Sequence, residues 1–498
     1  VPTYNLLFLW TDQQRADTLT AYGNRLIEMP NLNRLASEST VFDQAYVSQT
    51  VCTPSRSTVM TGLYPHTNGC LQNNIPLAPE IPVLPEMLSN DYLTGYFGKW
   101  HLGDEIFCQR GFDEWISIED MYIPYYGPNR DRDARSSYHH FLIDQGLAPR
   151  NGSIFGRGEA LRLPEELGKP AFLADQACEF LRRHRDNPFV LYVNMLEPHS
   201  PFFSCRDDQY DPAQIPLPPS FDDPPTVSQP LKTQALARRF YEHGQSGLPL
   251  KTEADWRRMI ANYWGLNSLV DTYMGRILDT LEAQGLAEDT IVVYTSDHGD
   301  MMGDHRLITK CVMFEEAMRI PWLMRLPGQR QGRHVAGPIS HIDLVPTLLD
   351  LMGEDIPDHL QGKSQSPVLH DEAATRLPPR DVVVEWNGDN SALGGFLEGD
   401  EWPEWLAPFG SPERLRKAVS DPVRTLITPE GWKFSYSPLG EHQLYDLNAD
   451  PYERHNLAVK SEHLPLMRSL AERIARWQEA ADDRVPVELE RVSTVADE

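Results

Sequence analysis

Two short runs limit what this chain can become. Residues 5–10 (Asn-Leu-Leu-Phe-Leu-Trp) and 290–295 (Thr-Ile-Val-Val-Tyr-Thr) are apolar at consecutive positions rather than at alternate ones. A strand of that kind is buried on both faces, as the central strands of a parallel sheet between helices are. Each run releases a carboxylate: Thr11-Asp12-Gln13 follows the first, and Ser296-Asp297-His298-Gly299-Asp300 follows the second. Ligands of open α/β sheets collect beyond the carboxyl ends of the strands, so two acids delivered there can meet and offer hard oxygens to a cation. One such Asp is by default a turn former; two make a candidate metal site.

The next constraint is Cys52-Thr53-Pro54-Ser55-Arg56, continued by Ser57-Thr58-Val59-Met60-Thr61-Gly62. Pro54 has its φ pre-set for a first helical turn and Gly62 is a natural stop, which puts Cys52 at a helix N-terminus. Unpaired N–H groups and the positive end of the helix dipole favour an anion there, and Arg56 adds a forked cation one turn on. Taken alone, the pentapeptide reads equally as a buried structural cysteine.

Further strands are expected at 40–45, 93–97, 189–195 and 319–325, a strand-to-helix unit at 340–352, and helices at 171–184 and 256–286. The strand at 93–97 leads into Gly98-Lys99-Trp100-His101-Leu102-Gly103, where strand alternation puts Lys99 and His101 on one side. The strand at 189–195 leads into Glu197-Pro198-His199-Ser200-Pro201, and Lys310 follows Gly303-Asp304-His305-Arg306-Leu307-Ile308-Thr309. Asn73 and Asn74 could reach the site as neutral donors, but two asparagines in a loop read first as turn formers. Residues 104–170, with Tyr122, Tyr125, Tyr126, Arg130, Arg132, Arg135 and Tyr138, read as an insertion over the mouth of the site, and His139-His140 as surface. Residues 201–250, dense in Pro and Asp, read as a long loop or lid, and loops of this kind commonly set specificity.

In this order, the elements resemble the signature of the type I sulfatases of the alkaline phosphatase superfamily. The resemblance runs from Asn5 to Ala458 and includes the closing Leu444-Tyr445-Asp446-Leu447-Asn448-Ala449-Asp450-Pro451. It implies that Cys52 is oxidised after synthesis to formylglycine by a formylglycine-generating, sulfatase-maturating enzyme. The hydrated aldehyde is then the nucleophile: one hydroxyl attacks sulfur and the second, once deprotonated, expels sulfate. It implies one divalent ion, Ca²⁺ in preference to Mn²⁺, held by Asp12, Gln13, Cys52, Asp297 and His298. Many relatives carry Asp in place of Gln13 and Asn in place of His298, and these softer, less anionic ligands keep Mn²⁺ open. Arg56, Lys99, His101, His199 and Lys310 complete the implied catalytic set: Lys99 and Lys310 for sulfate oxygens, His101 for the second hydroxyl, and His199 for sulfate or the leaving oxygen. The implied reaction is hydrolysis of an aryl, sugar or small-alcohol sulfate. The nearest alternative is a phosphonate monoester or phosphodiester hydrolase of the same superfamily, or an enzyme doing both. A non-catalytic binder of sulfated glycans is the reading from another class.

The implied fold is an alkaline-phosphatase-like α/β sandwich, a mixed sheet flanked by helices. A smaller C-terminal domain follows, because beyond residue 376 the strands shorten and alternate as in an antiparallel sheet, with a helix at 463–480 to cover it. The expected division is 1–375 and 376–498, consistent with 498 residues exceeding what one core sustains. The formal charge of −27 argues against nucleic acid and anionic membrane as partners. Screening over about 8 Å still lets a local cluster of cations govern a cleft. The six cysteines lie far apart, without zinc-like spacing. The longest apolar run is far short of a membrane span and no signal peptide precedes it, which favours the cytoplasm, or the periplasm or exterior if a leader was removed. Self-association into a homo-oligomer is a further expectation.

Overall fold

The structure, a computed structural model, describes residues 4–89, 91–388, 393–397 and 402–493. Nine strands form one mixed sheet. They are β1 (Asn5–Asp12), β2 (Thr40–Tyr46), β3 (Leu93–Gly98), β4 (Glu114–Ile116), β5 (Phe189–Pro198), β6 (Thr290–Ser296), β7 (Arg319–Ile320), β8 (Trp322–Arg325) and β9 (Arg333–Ser340). The order is β4-β3-β5-β1-β6-β8-β2-β7, with β9 also on β2. β1 runs parallel to β5 and β6, and β3 parallel to β5, so the carboxyl ends of four neighbouring strands line one edge. β2 runs the same way, being antiparallel to β8, which is antiparallel to β6.

Every residue of β1 is buried. Leu7 and Leu9 enter a core shared with the helices Lys169–Arg183 and Glu253–Ala283, whereas Leu6, Phe8 and Trp10 enter a second core with Val59 and Met60 of the Cys52 helix. Each Leu or Phe so buried stabilises the fold by about 1.5–3 kcal/mol, which is why the run is apolar at every position. Gly98, at the end of β3, has φ +124°, and a β-carbon there would stand 1.9 Å from the Asn194 carbonyl oxygen of β5. Only glycine allows the two strands to approach at the point where the Lys99 loop departs.

The second sheet is antiparallel, in the order β10 (Val382–Glu385), β11 (Arg424–Ile427), β12 (Trp432–Tyr436) and β13 (Gln443–Asp446). The helix Leu464–Ala481 lays Met467, Leu470, Ala471 and Ile474 against it. This sheet meets the larger one at Glu385, whose N–H donates to the Ser48 carbonyl at 2.7 Å.

Four expectations are corrected. The run at 319–325 is two strands, not one, interrupted at Pro321, which has no N–H for the ladder. Residues 201–250 contain the helix Leu231–His243, whose Leu231, Ala235, Leu236 and Phe240 form an apolar stripe. Residues 104–170 are more than a cover: Tyr138 and Leu142 of the helix Ser137–Asp144 belong to the core. His139 is buried, its Nδ1 3.4 Å from Asp120, and only His140 is at the surface. Of the aromatic stretch 386–405, residues 389–392 and 398–401 lie outside the described residues, as do 494–498 of the tail. Among the described residues no helix is long and apolar enough to cross a membrane.

Candidate active site

The Cys52 helix spans Cys52–Thr61, is buried at every position, and ends on Gly62 in the left-handed conformation, as Pro54 and Gly62 predict. It starts beneath the carboxyl edge of the sheet, where β1 delivers Asp12 and the turn after β6 delivers Asp297 and His298. One donor atom from each of Asp12, Cys52, Asp297 and His298 lies within 4.8 Å of the other three, and all four residues are buried. The Cys52 Sγ stands 3.2 Å from His298 Nε2 and 3.8 Å from Asp12 Oδ1. His298 Nδ1 donates to the Gly299 carbonyl at 2.9 Å, so in its neutral form the ring presents a bare lone pair at Nε2; burial pushes the imidazole down, but Asp297 and Cys52 outweigh it and hold it above its ordinary value. Two carboxylates, an imidazole nitrogen and a sulfur or oxygen donor, all turned to one point, fit a divalent ion.

Arg56 organises these ligands. Its Nε donates to Asp297 at 2.8 Å, Nη2 to Asp12 at 2.9 Å, and Nη1 to the Lys99 carbonyl at 2.8 Å and to Asn194 Oδ1 at 2.9 Å, with the guanidinium 4.6 Å from the centre of the Trp10 ring. The sequence assigns this fork to an incoming anion; the structure engages every nitrogen with the protein.

Lys99 donates to the second Asp12 oxygen, and Lys310 donates to Gln13 Oε1 at 2.5 Å, so an ammonium group stands on the last residue of β1 and another on the residue after it. The Gln13 amide in turn donates to Asp300 at 2.5 Å, and its backbone, held at φ +70°, donates to Asp297 at 3.0 Å. Burial pushes the Asp12 carboxyl up, but Lys99, His199, Arg56 and Lys310 outweigh it and hold Asp12 well below the ordinary carboxylate range. Burial and Asp12 push the Cys52 thiol up; Lys310, Lys99 and His298 together bring it below its usual value.

His101 and His199 reach this region by different routes. β3 has ended before Lys99, so strand alternation does not orient His101. Its backbone is at φ +60°, and Glu105 accepts the N–H groups of Trp100 at 2.8 Å and His101 at 2.6 Å. The ring bonds through Nε2 to Asn74 Oδ1 at 2.9 Å, leaving a buried Nδ1 with no partner among the described residues. Burial, then Lys99 and Arg56, hold His101 well below the usual imidazole range. His199 bonds through Nδ1 to the Ser200 carbonyl at 2.6 Å, and burial and Lys310 depress it likewise. Both rings are neutral at neutral pH.

Sequence reasoning passed over the residues that brace this set. Asn73 Oδ1 accepts the Thr53 N–H at 3.0 Å, capping the Cys52 helix, while Asn74 orients His101; neither merely forms a turn. Asn194 is the one signal that was available, an amide inside an otherwise apolar buried strand. Asp300, Glu105 and Tyr122 carry no spacing that marks them.

A profile of the sulfatase family matches residues 4–354. The N-acetylglucosamine-6-O-sulfatase of Bacteroides thetaiotaomicron is 26% identical to this chain, over 98% of this chain and 88% of its own length. Among solved structures, the phosphonate monoester hydrolase SpPMH from Silicibacter pomeroyi superposes with a TM-score of 0.75 at 24% identity, covering 96% of both chains. BT4656, solved in complex with its substrate D-glucosamine-2-N,6-O-disulfate, gives 0.72 at 23% identity, covering 98% of this chain and 99% of that one. These likenesses carry the alkaline-phosphatase-like fold, and the profile match carries the family: this chain belongs to the sulfatases of the alkaline phosphatase superfamily.

Proposed function

We propose that this hydrolase cleaves an aryl, sugar or small-alcohol sulfate monoester, with Cys52 in its formylglycine form as nucleophile. The observation that carries the reading is the position of Cys52: first residue of a buried helix, 3.2 Å from His298 Nε2, with Lys99 and Lys310 flanking it on Asp12 and Gln13. Hydrated formylglycine supplies two hydroxyls on one carbon. A divalent ion held by Asp12, Asp297, His298 and the converted Cys52, with Gln13 as a further oxygen donor, supplies charge neutralisation and a lowered hydroxyl pKa; Ca²⁺ is favoured and Mn²⁺ is the alternative.

The protein's own groups do the rest. Lys99 and Lys310 bind the sulfate oxygens as point charges, at the cost of loosening their present bonds to Asp12 and Gln13. His101 holds its proton on Nε2, against Asn74, and keeps a basic Nδ1 for the proton of the second hydroxyl. His199 donates from Nδ1 to the Ser200 carbonyl, so its Nε2 is a bare acceptor in the neutral ring and serves the leaving oxygen as an acid only once it has taken up a proton. Cys52 is 1% exposed, so its maturation enzyme must act before the Cys52 helix packs.

A phosphonate or phosphodiester ester is the second reading. Asp12-Gln13, which resembles the corresponding pair of those hydrolases, favours it; charge does not discriminate, since a sulfate monoester, a phosphonate monoester and a phosphodiester are each monoanions. Turnover of a matched aryl sulfate and aryl phosphonate, by enzyme whose Cys52 peptide has the aldehyde mass, decides between them. A faster sulfate rate supports the first reading; a faster phosphonate rate reassigns the enzyme.

A further inference from the structure

Within residues 104–170 a buried ionic triad backs onto the site. Glu119 lies between Lys169 Nζ and Arg157 Nε, the latter at 2.6 Å. Burial raises Glu119, but Arg157 and Lys169 bring it down to about 2, so it stays ionised and the triad holds two cations against one anion. The neighbouring Glu197 offsets this only in part, since burial pushes its carboxyl up to about 7. Arg157 also donates through Nη2 to the Tyr122 hydroxyl at 2.9 Å, and the Tyr122 ring lies against His101 with centroids 4.5 Å apart. One side chain therefore separates Arg157 from the proposed base, and its field reaches Asp12, His101 and His199. The side chain is 15% exposed, and Nη1 has no hydrogen-bond partner among the described residues.

We propose that Arg157 is a specificity residue that grips a second oxyanion of the substrate, a carboxylate or another sulfate close to the scissile ester. Lys169 already neutralises Glu119, so anchoring that acid does not require Arg157. Glu119 and Tyr122 hold two edges of the guanidinium, which fixes the direction of the remaining N–H groups. The substrate class this selects is an acidic or multiply sulfated ester, in preference to a neutral mono-sulfate. The inference rests on the sulfate-ester reading above.

The test is kcat/KM of formylglycine-verified wild type, Arg157→Gln and Arg157→Lys on 4-nitrophenyl sulfate, 2-carboxy-4-nitrophenyl sulfate and 4-nitrocatechol disulfate. Wild type should prefer at least one of the acidic esters over the parent by about tenfold or more, the scale of a charge-assisted hydrogen bond. The acidic ester that is preferred tells carboxylate from sulfate. Arg157→Gln should reduce that preference about tenfold, and Arg157→Lys should restore part of it. No preference in wild type, or the same preference in Arg157→Gln, overturns the proposal. Should the variants fail to fold, inhibition of wild type by sulfoacetate against methanesulfonate reads the same contact: tighter sulfoacetate supports it and equal inhibition overturns it. Absence of any turnover of 4-nitrophenyl sulfate by wild type counts against the sulfatase reading instead, and the inhibitor pair still judges Arg157.

Discussion

His298 brings Nε2 to 3.2 Å from the Cys52 sulfur while its Nδ1 is tied 2.9 Å away to the Gly299 carbonyl, so the neutral ring turns its lone pair toward residue 52. That places the Cys52 side chain among groups that could hold a metal ion rather than in an apolar core. Cys52→Ala should abolish turnover. Cys52→Ser should release at most one equivalent of alcohol per enzyme, since a single hydroxyl has no partner to expel sulfate. Pre-steady-state release of 4-nitrophenol measures this, and repeated turnover by the Ser variant would exclude the proposed nucleophile.

Gln13 is oriented at both ends, accepting from Lys310 and donating to Asp300, each at 2.5 Å. Gln13→Glu keeps the shape but turns the donor into an acceptor facing a carboxylate. It should destabilise the fold by about 1–3 kcal/mol. Adding Asp300→Asn returns a donor and should recover most of the loss. A double-mutant cycle on denaturant midpoints reads the coupling, and additive effects would mean that the bond contributes nothing.

His101 depends on Asn74 for its tautomer. His101→Ala should lower kcat by about 10²–10⁴-fold. Asn74→Ala should lower kcat by about tenfold, chiefly in kcat rather than KM, because the amide orients a proton carrier and holds no substrate. A change confined to KM would move Asn74 into substrate binding.

Glu197 is 1% exposed and its Oε2 has no partner among the described residues. Burial lifts its carboxyl from an ordinary 4.5 to about 7. Between those values the unfolded chain gives up a proton that the folded chain keeps, so the folded state binds more protons and stability falls as pH rises. Its contribution is fully present below the lower value and is lost by the upper one, amounting to about 3 kcal/mol at most. Glu197→Gln should flatten that part of the stability curve from pH 5 to 7, measured by urea titration. An unchanged slope would assign the pH dependence to other groups.

Much of this site is legible in the chain because its residues sit at the ends of buried strands, and buried strands announce themselves. Asp12 ends β1, Asp297 and His298 follow β6 directly, and Cys52 opens a helix delimited by Pro54 and Gly62. Lys99 and His101 were found by their motif but with the wrong geometry, since β3 stops at Gly98 and a carboxylate at Glu105 sets the loop. His139 was misjudged as surface because a His-His pair has no period, and what buries it, Phe155 with a ring centroid 5.1 Å away, is remote in sequence. The helix at Leu231–His243 was hidden by the Pro and Asp around it.

The sequence by itself determined the α/β class, the strand ends that carry the acids, the cysteine helix and the second, antiparallel sheet. These follow from local rules: apolar runs, turn residues, and the fixed φ of proline and freedom of glycine. Only the tertiary structure decided that Arg56 serves Asp12 and Asp297, that Asn74 and Glu105 set His101, and that Glu119 and Tyr122 hold Arg157 beside it. Such pairings are chosen by burial, where a charge or amide without a partner costs several kcal/mol. The partner that satisfies it is whichever side chain the packed sheet brings within 3 Å, a quantity no spacing along the chain encodes.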